Sequence, residues 1–176
     1  GQQHLPREAV VRLLRDGVAG TAGVAGPMAE VVAGSTQHLS GPDLDAMAQY
    51  LASIPVQHRR REEFRLADRD QRLQGGKLYE RHCAACHGER GEGVPGIYPA
   101  LAGNRAVRLP LANNLVLAIR HGGFAPSTAG NPRPFGMPPF GQVLNPAEIA
   151  AVASFVRQSW GNAAAPVLAL DVLHVK

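Results

Sequence analysis

A C-x-x-C-H motif near the middle of the chain constrains this sequence more than any other feature. It consists of Cys83, Cys86 and His87, and its two cysteines are the only ones in the chain. The spacing is typical of covalent attachment of a c-type haem, because two intervening residues let both sulfurs form thioethers with neighbouring pyrrole edges. The next residue, His87, then lies where its imidazole ligates the iron. The motif predicts one covalently bound haem c, with its iron, per chain.

Two other uses of paired cysteines fit the sequence less well. A thioredoxin-like redox pair requires a βαβ context, and no such pattern surrounds Cys83 and Cys86. A structural zinc ion requires four ligands, whereas the chain has 2 cysteines. The motif therefore favours haem attachment over a redox disulfide or a zinc site.

Length and composition limit the class of protein. The 176 residues leave room for one or two domains, at about 150 residues per domain. No apolar run approaches the ~20 residues of a membrane span, so we expect membrane association only through partners. The chain starts at Gly1 without an initiator methionine or a signal-peptide pattern, which is typical of a processed or truncated product. Because bacteria attach c-type haems in the periplasm, the motif predicts a periplasmic protein.

The formal net charge of +4 raises the question of an anionic partner. The sequence has no basic stripe interleaved with aromatic residues and no nucleic-acid-binding motif, so we expect no nucleic acid partner. A mildly basic face favours encounter with an acidic redox protein. The alternative is an ordinary solvated surface.

Apolar periodicity and capping signals predict a largely helical chain. The expected helices are Pro6–Asp16 stopped by Gly17, one capped by Ser40 and ended by Pro55, Gln74–His82, one from Asn113 or Asn114 to Gly122, and one capped by Asn145 and stopped by Gly161. Residues 56–72 carry a dense run of mixed charges, which predicts a linker between domains. Residues 162–176 form an expected tail whose apolar side chains lie on the domain surface.

The sequence contains an internal repeat with a displacement of 105 residues. Leu14–Gly17 matches Ile119–Gly122, and residues 39–51 match residues 144–156. Met28 and Met137 stand between the matched segments in the two copies. Only the second copy is preceded by a C-x-x-C-H motif. The repeat therefore predicts a partial module without a haem motif over 1–55, and a haem c domain over 73–161.

The chain resembles the class I c-type cytochromes, and over nearly its full length it is similar to the last part of the multi-domain cytochrome c subunits of membrane-bound periplasmic dehydrogenases of the alcohol and gluconate type. Related dihaem cytochromes of sulfur or respiratory chains share much of the pattern. The segments that carry the resemblance are Gly26–Val32, Gln37–Ser40, Tyr98–Asn104, Met137-Pro138 and Ser159–Asn162. The resemblance implies an all-α fold, namely a class I cytochrome c domain preceded by the back half of a second such domain, in which Met28 would be an axial ligand if the domain were complete.

We predict Met137 as the second axial ligand of the iron. Its thioether is soft and neutral, and the adjacent prolines hold the loop that presents it. The alternatives are a methionine that only fills space and ligation by His121 instead. Met47, on an apolar helix face, is expected in the core.

Other residues are assigned supporting roles around the haem. A ligating imidazole usually donates its second N–H to a carbonyl, and the resemblance implies that Pro99 supplies it. Tyr98, Asn104 and Arg108 are candidates for the haem propionates or for polar support of their loop. Gly75 or Gly76 with Phe155 resembles the crossing of the first and last helices, and Trp160 is assigned a structural role.

Iron with both axial positions filled has no open site for a substrate. The sequence therefore predicts an electron carrier rather than an enzyme, relaying electrons from a dehydrogenase or quinol partner to another cytochrome or an oxidase. The alternative is a haem enzyme domain, peroxidase-like or sulfur-oxidising, in which the sixth ligand is displaceable.

Overall fold

The computed structural model describes residues 5–55 and 64–175, which divide into two compact units. The first contains residues 5–55 together with 124–136, and the second contains residues 64–123 and 137–175. Among the described residues, no helix combines the length and the apolar character needed to cross a membrane. Segment 124–136 lies inside the predicted haem domain in sequence, yet it packs with the first unit.

The first unit is built on three helices: α1 (Arg7–Asp16), α2 (Pro27–Gly34) and α3 (Gly41–Ser53). A short antiparallel ladder of β1 (Val18–Ala19) with β2 (Ala22–Gly23) follows α1, and a 3₁₀ turn spans Thr36–His38. Its core is small and contains Leu14, Val32, Leu44 and Ala48. Helix α2 was not predicted from the sequence, although Pro27 at its first position is a favourable helix start.

The predicted helix boundaries in this unit are confirmed by their caps. Gly17 ends α1 with a φ of 76°, and its N–H donates to the Leu13 carbonyl at 3.1 Å. The Ser40 hydroxyl caps α3, accepting from the Asp43 N–H at 3.3 Å and donating to the Asp43 carboxylate at 2.5 Å. Both ends therefore follow from local chemistry.

The second unit contains α4 (Arg69–His82), α5 (Ala84–His87), α6 (Asn113–His121), α7 (Pro146–Gln158) and α8 (Ala169–His174). Helix α7 begins with the predicted capping box: Asn145 Oδ1 accepts from the Glu148 N–H at 3.0 Å, and Glu148 Oε2 accepts from the Asn145 N–H at 2.9 Å. Two-residue strands β3 (Gly123–Phe124) and β4 (Gly136–Met137) pair with each other, so the fold is helical with minor strand content.

Helix α4 begins at Arg69, earlier than the predicted Gln74. Asp68 caps it by accepting the Gln71 N–H at 2.8 Å, so the end of the charged run is helical. Residues 56–63 of the predicted linker lie outside the described residues. The extended residues just before α4 are held by the Gln158 amide, which accepts from the Ala67 N–H at 3.0 Å and donates to the Arg65 carbonyl at 2.8 Å.

The C-terminal residues contribute to the core of the second unit as well as to its surface. Val167, Val172 and Val175 are buried, whereas Leu168, Leu170 and Leu173 are exposed. The Val167 N–H donates to the buried Ser154 hydroxyl at 2.8 Å. A buried arginine, Arg157, donates to the carbonyls of Ala165, Val107 and Leu109 at 2.7, 2.8 and 2.9 Å. Its guanidinium thus links two loops whose contact was not predicted from the sequence.

Helices α4 and α7 cross in close backbone contact at Gly75. A β-carbon at this position would lie 2.3 Å from the Ala151 carbonyl oxygen, which belongs to the backbone and has little room to yield. At Gly76 the nearest atom would be the Phe155 ring at 3.4 Å, an ordinary contact. Gly75 is therefore the glycine that the crossing requires.

We expect Gly75→Ala to destabilise the protein although alanine favours helices. Overpacking of a tight interior costs about 1–3 kcal/mol or more, which exceeds the ~1 kcal/mol gained in helix propensity. Urea unfolding of the haem-loaded protein measures the difference, with Gly76→Ala as the matched control. A Gly75→Ala protein as stable as the Gly76→Ala protein would contradict the crossing.

The internal repeat is visible in the element boundaries. Helix α3 runs from Gly41 to Ser53 and helix α7 from Pro146 to Gln158, so both ends are displaced by the 105 residues found in the sequence. The last residues of α1 and α6, Asp16 and His121, have the same displacement.

Candidate haem site

The C-x-x-C-H motif forms a single helical turn directly after α4. Cys83 ends α4 by donating its N–H to the Tyr79 carbonyl at 2.8 Å, and its own carbonyl accepts from the N–H groups of Cys86 and His87 at 3.2 and 2.9 Å. The two thiols are free and half-buried. One residue therefore closes a helix and starts the turn that carries both sulfurs and the imidazole, as covalent haem attachment requires.

The thiol of Cys83 lies in an apolar environment. Burial raises the pKa of Cys83 to about 11, and the neighbouring Cys86 raises it further. At neutral pH the thiol is therefore in its protonated form. Thioether formation would remove this ionisation altogether.

The imidazole of His87 is oriented by a backbone carbonyl. Nδ1 lies 2.9 Å from the Pro99 carbonyl oxygen, which can only accept, so Nδ1 carries a proton and Nε2 is the nitrogen left to ligate a metal. This is the arrangement that a metal-ligating histidine needs, because the second N–H fixes both the tautomer and the ring plane. The residues present thus fit an iron ligand at Nε2.

The loop that supplies the Pro99 carbonyl is fixed to the motif itself. The Gly93 N–H donates to the His87 carbonyl at 2.7 Å, and the Leu101 N–H donates to the Gly91 carbonyl at 2.7 Å. A β-carbon on Gly93 would lie 2.5 Å from the Tyr98 carbonyl, so the two sides of the loop touch through backbone. The acceptor of the imidazole is therefore rigidly placed.

The candidates for the polar edge of the haem have different environments. Asn104 is buried, and its amide donates to the Ala100 carbonyl at 2.8 Å and accepts from the Ala106 N–H at 2.9 Å. These bonds give Asn104 a role in holding its loop. Tyr98 is half-buried and pairs through its backbone with Val94, whereas Arg108 is exposed.

Met137 stands in β4 and is half-buried against the core of the second unit, as is Cys83. The chain beyond it is tied to the end of α6, since Phe140 N–H donates to the Ile119 carbonyl at 2.9 Å. Gly122, with φ of 61°, allows close approach, because a β-carbon there would lie 2.1 Å from the Met137 carbonyl oxygen. The methionine backbone is therefore fixed on its C-terminal side.

The other methionines and His121, the alternative axial ligand, have exposed side chains. Met28 lies on α2 and is 43% exposed, and His121 is exposed at the last residue of α6. The prediction that Met47 lies in the core is wrong, since this side chain is 37% exposed. The small first unit buries Leu44 and Ala48 from the same helix instead.

An aromatic cluster of Tyr79, Phe155 and Trp160 packs beside the C-x-x-C-H turn, and its link to the site was not predicted from the sequence. The Tyr79 hydroxyl donates to the Gly88 carbonyl at 2.6 Å, directly after His87. Its ring packs on Trp160 and Phe155, with centroids 4.9 and 5.4 Å away. Burial raises the pKa of Tyr79 far above its usual range, so the hydroxyl stays a donor. The helical spacing of Tyr79 from the motif was the available signal.

A turn carrying two thiols and an oriented imidazole, set beside a helical core, defines a domain for covalent haem attachment. The comparison with known families agrees. The model of the cytochrome c family matches residues 73–160, and this chain belongs to that family. Membership implies a covalently bound haem c with its iron and a role in electron transfer.

The chain is similar to cytochrome c subunits of dehydrogenases and to small cytochromes c. The cytochrome c subunit of the quinone-type alcohol dehydrogenase of Gluconobacter oxydans is 37% identical over 176 residues, covering 95% of this chain and 37% of that protein. The gluconate 2-dehydrogenase cytochrome c subunit of Pantoea cypripedii is 34% identical over 161 residues, covering 86% and 36%. Cytochrome c-552 of Thermus thermophilus is 36% identical over 93 residues, covering 51% and 70%. The chain thus spans little more than a third of the dehydrogenase subunits.

Proposed function

We propose that this chain is a periplasmic electron carrier with one haem c, held by Cys83 and Cys86 and ligated by His87 and Met137. The observation that carries the proposal is the bond between His87 Nδ1 and the Pro99 carbonyl at 2.9 Å. A histidine oriented in this way, directly after two cysteines at the spacing of haem attachment, has the tautomer and the ring plane that iron ligation requires.

Bound haem c supplies reversible one-electron chemistry between ferric and ferrous iron. The residues of the chain set the conditions for it. The Pro99 carbonyl raises the basicity of the imidazole and fixes its plane. As an axial ligand, the Met137 thioether, being neutral and soft, would favour the reduced state and raise the potential. The aromatic cluster, which is bonded to the Gly88 carbonyl through Tyr79, holds the attachment turn in place. A rigid turn limits the structural reorganisation that accompanies electron transfer.

The role of carrier is favoured over that of haem enzyme by the placement of Met137. Its backbone is held against Gly122 on one side of the strand and through Phe140 to α6. An enzyme of the peroxidase-like or sulfur-oxidising kind needs a sixth position that opens to its substrate. A methionine whose backbone is held in this way would instead favour outer-sphere electron transfer by the bound haem.

The proposed partners are redox proteins. The similar proteins named as alcohol, gluconate and fructose dehydrogenase cytochrome subunits support a donor that is a membrane-bound dehydrogenase or a quinol site, with another cytochrome or an oxidase as acceptor. The net charge of +4 favours an acidic docking face on the partner. The first unit is proposed to be a cytochrome c-like module without its own haem motif.

The intact mass and the reactivity of the purified protein test this proposal together. We expect the mass of the chain plus one haem, and a ferric spectrum that peroxide and cyanide leave unchanged over minutes. A reduced quinol analogue should still reduce the protein fully. Two haems per chain, or sustained turnover of peroxide, would overturn the proposed function.

A further inference from the structure

The segment just before Met137 is anchored on the end of α1. Thr128 in this segment is only 5% exposed, and its hydroxyl donates to the Asp16 carbonyl at 2.9 Å. The same hydroxyl accepts from the Asn131 N–H at 3.1 Å, and the backbones of Thr128 and Asn131 exchange two further bonds of 3.1 Å. The buried Thr128 side chain thus bonds the turn of residues 128–131 to the C-terminal end of α1.

Packing reinforces this hydrogen bond. Pro126 is buried, and a β-carbon on Gly17 would lie 2.2 Å from its ring. On the other side of the turn, a β-carbon on Gly130 would lie 2.6 Å from the Asp16 carboxyl carbon. Both glycines therefore admit contacts that any side chain would block, so the segment fits the end of α1 closely.

The end of α1 accepts a second threonine bond, from a residue outside segment 124–136. The Thr36 hydroxyl donates to the Leu14 carbonyl at 2.5 Å, and both residues are buried in the first unit. The Asp16 carbonyl belongs to the last turn of α1, where carbonyls lack partners within the helix. Thr128 satisfies this carbonyl, and losing that bond would leave a partly buried acceptor without its protein partner.

The anchored segment 124–136 is followed directly in the chain by Met137, the candidate axial ligand. The segment ends at Gly136, the next residue is Met137, and Phe140 ties the following turn to α6. We propose that Thr128 is a positioning residue for Met137: its bond to the Asp16 carbonyl restrains the strand that presents the sulfur to the iron. This inference rests on the proposed function, since it requires Met137 to be the axial ligand.

The restraint has a measurable consequence. If Met137 ligates the iron, movement of the loop would release the sulfur and let an added ligand such as imidazole bind in its place. At saturating imidazole the rate of binding to the ferric protein equals the rate at which the methionine departs. Losing this partly buried hydrogen bond should raise that rate roughly 5- to 30-fold, the factor that corresponds to the lower part of the usual cost of an unpaired acceptor.

The test compares three variants of the haem-loaded full chain. Thr128→Val should show the increase in the limiting rate of imidazole binding together with a lower reduction potential. Thr128→Ser keeps the hydroxyl and should restore both values to nearly those of the parent protein. Thr36→Val is the matched control, because it removes a buried threonine bond to the same helix end without touching segment 124–136. It should leave the limiting rate within about threefold of the parent rate, which is less than the increase expected for Thr128→Val.

Two results would overturn the proposal: a Thr128→Val protein that exchanges ligand at the parent rate, or equal increases in Thr128→Val and Thr36→Val. If Thr128→Val does not fold, Pro126→Ala removes the ring that packs on Gly17 and should raise the rate in the same direction. Failure of the proposed function is seen separately. In that case Met137→Ala would keep the sulfur–iron absorption band of the ferric parent, whatever the behaviour of Thr128.

Discussion

Replacing Cys83 and Cys86 together by alanine should abolish covalent haem attachment completely. The chain has no other cysteine, so no thioether can form. Each single substitution should leave the haem attached through one bond. Haem staining after a denaturing gel, with the mass of the chain, measures the outcome. We expect full staining in the parent, reduced staining in either single variant and none in the double variant.

The control for this experiment lies within the motif. Ala85→Ser changes an exposed residue between the cysteines and leaves both sulfurs in place. It should stain as strongly as the parent protein. Haem that survives denaturation in the double variant would mean that another group of the chain holds it, and the assignment of the site to the C-x-x-C-H turn would be wrong.

Replacing Met137 by alanine should produce the largest change in redox behaviour. Removing the neutral thioether opens the sixth position to water or another ligand, and the reduction potential should fall by on the order of 0.1–0.3 V, within the ~0.8 V range that axial ligands span. The ferric sulfur–iron absorption band should disappear, and cyanide should bind quickly. Potentiometric titration followed by absorption measures both effects.

Met28→Ala is the matched control, because this methionine is exposed on α2 and stands at the corresponding place in the repeat. It should leave both the potential and the band unchanged. The result that counts against Met137 is a retained sulfur–iron band in the Met137→Ala protein, or loss of that band in the Met28→Ala protein. A band absent from the parent protein would favour His121 or water at the sixth position.

Local signals in the sequence predicted the helix boundaries best. The Ser40 and Asn145 caps and the Gly17 stop depend on residues within one turn, so the sequence alone determines them. Helix α4 was predicted to begin late because Asp68 and Arg69 belong to a run of charges that is equally typical of a linker. The Asp68 cap was the signal that identified its start.

Features that depend on distant residues were not predictable in the same way. Arg157 is buried because carbonyls from separate loops converge on it, and nothing in its neighbouring sequence indicates this. Segment 124–136 follows α6 along the chain but packs with α1, through Thr128 and Pro126. The Pro99 carbonyl was implied only by the resemblance to class I cytochromes, since a loop carbonyl carries no sequence signature of its own.

The methionine methyl resonances of the reduced protein test the central claim most directly. The chain has 3 methionines, and labelling their methyl groups makes each visible by nuclear magnetic resonance. A methyl group directly over the haem is shifted far upfield by the ring current of the porphyrin. We expect one methyl resonance to be shifted in this way, and to vanish in Met137→Ala. Three resonances at ordinary positions would contradict ligation of the haem by this methionine.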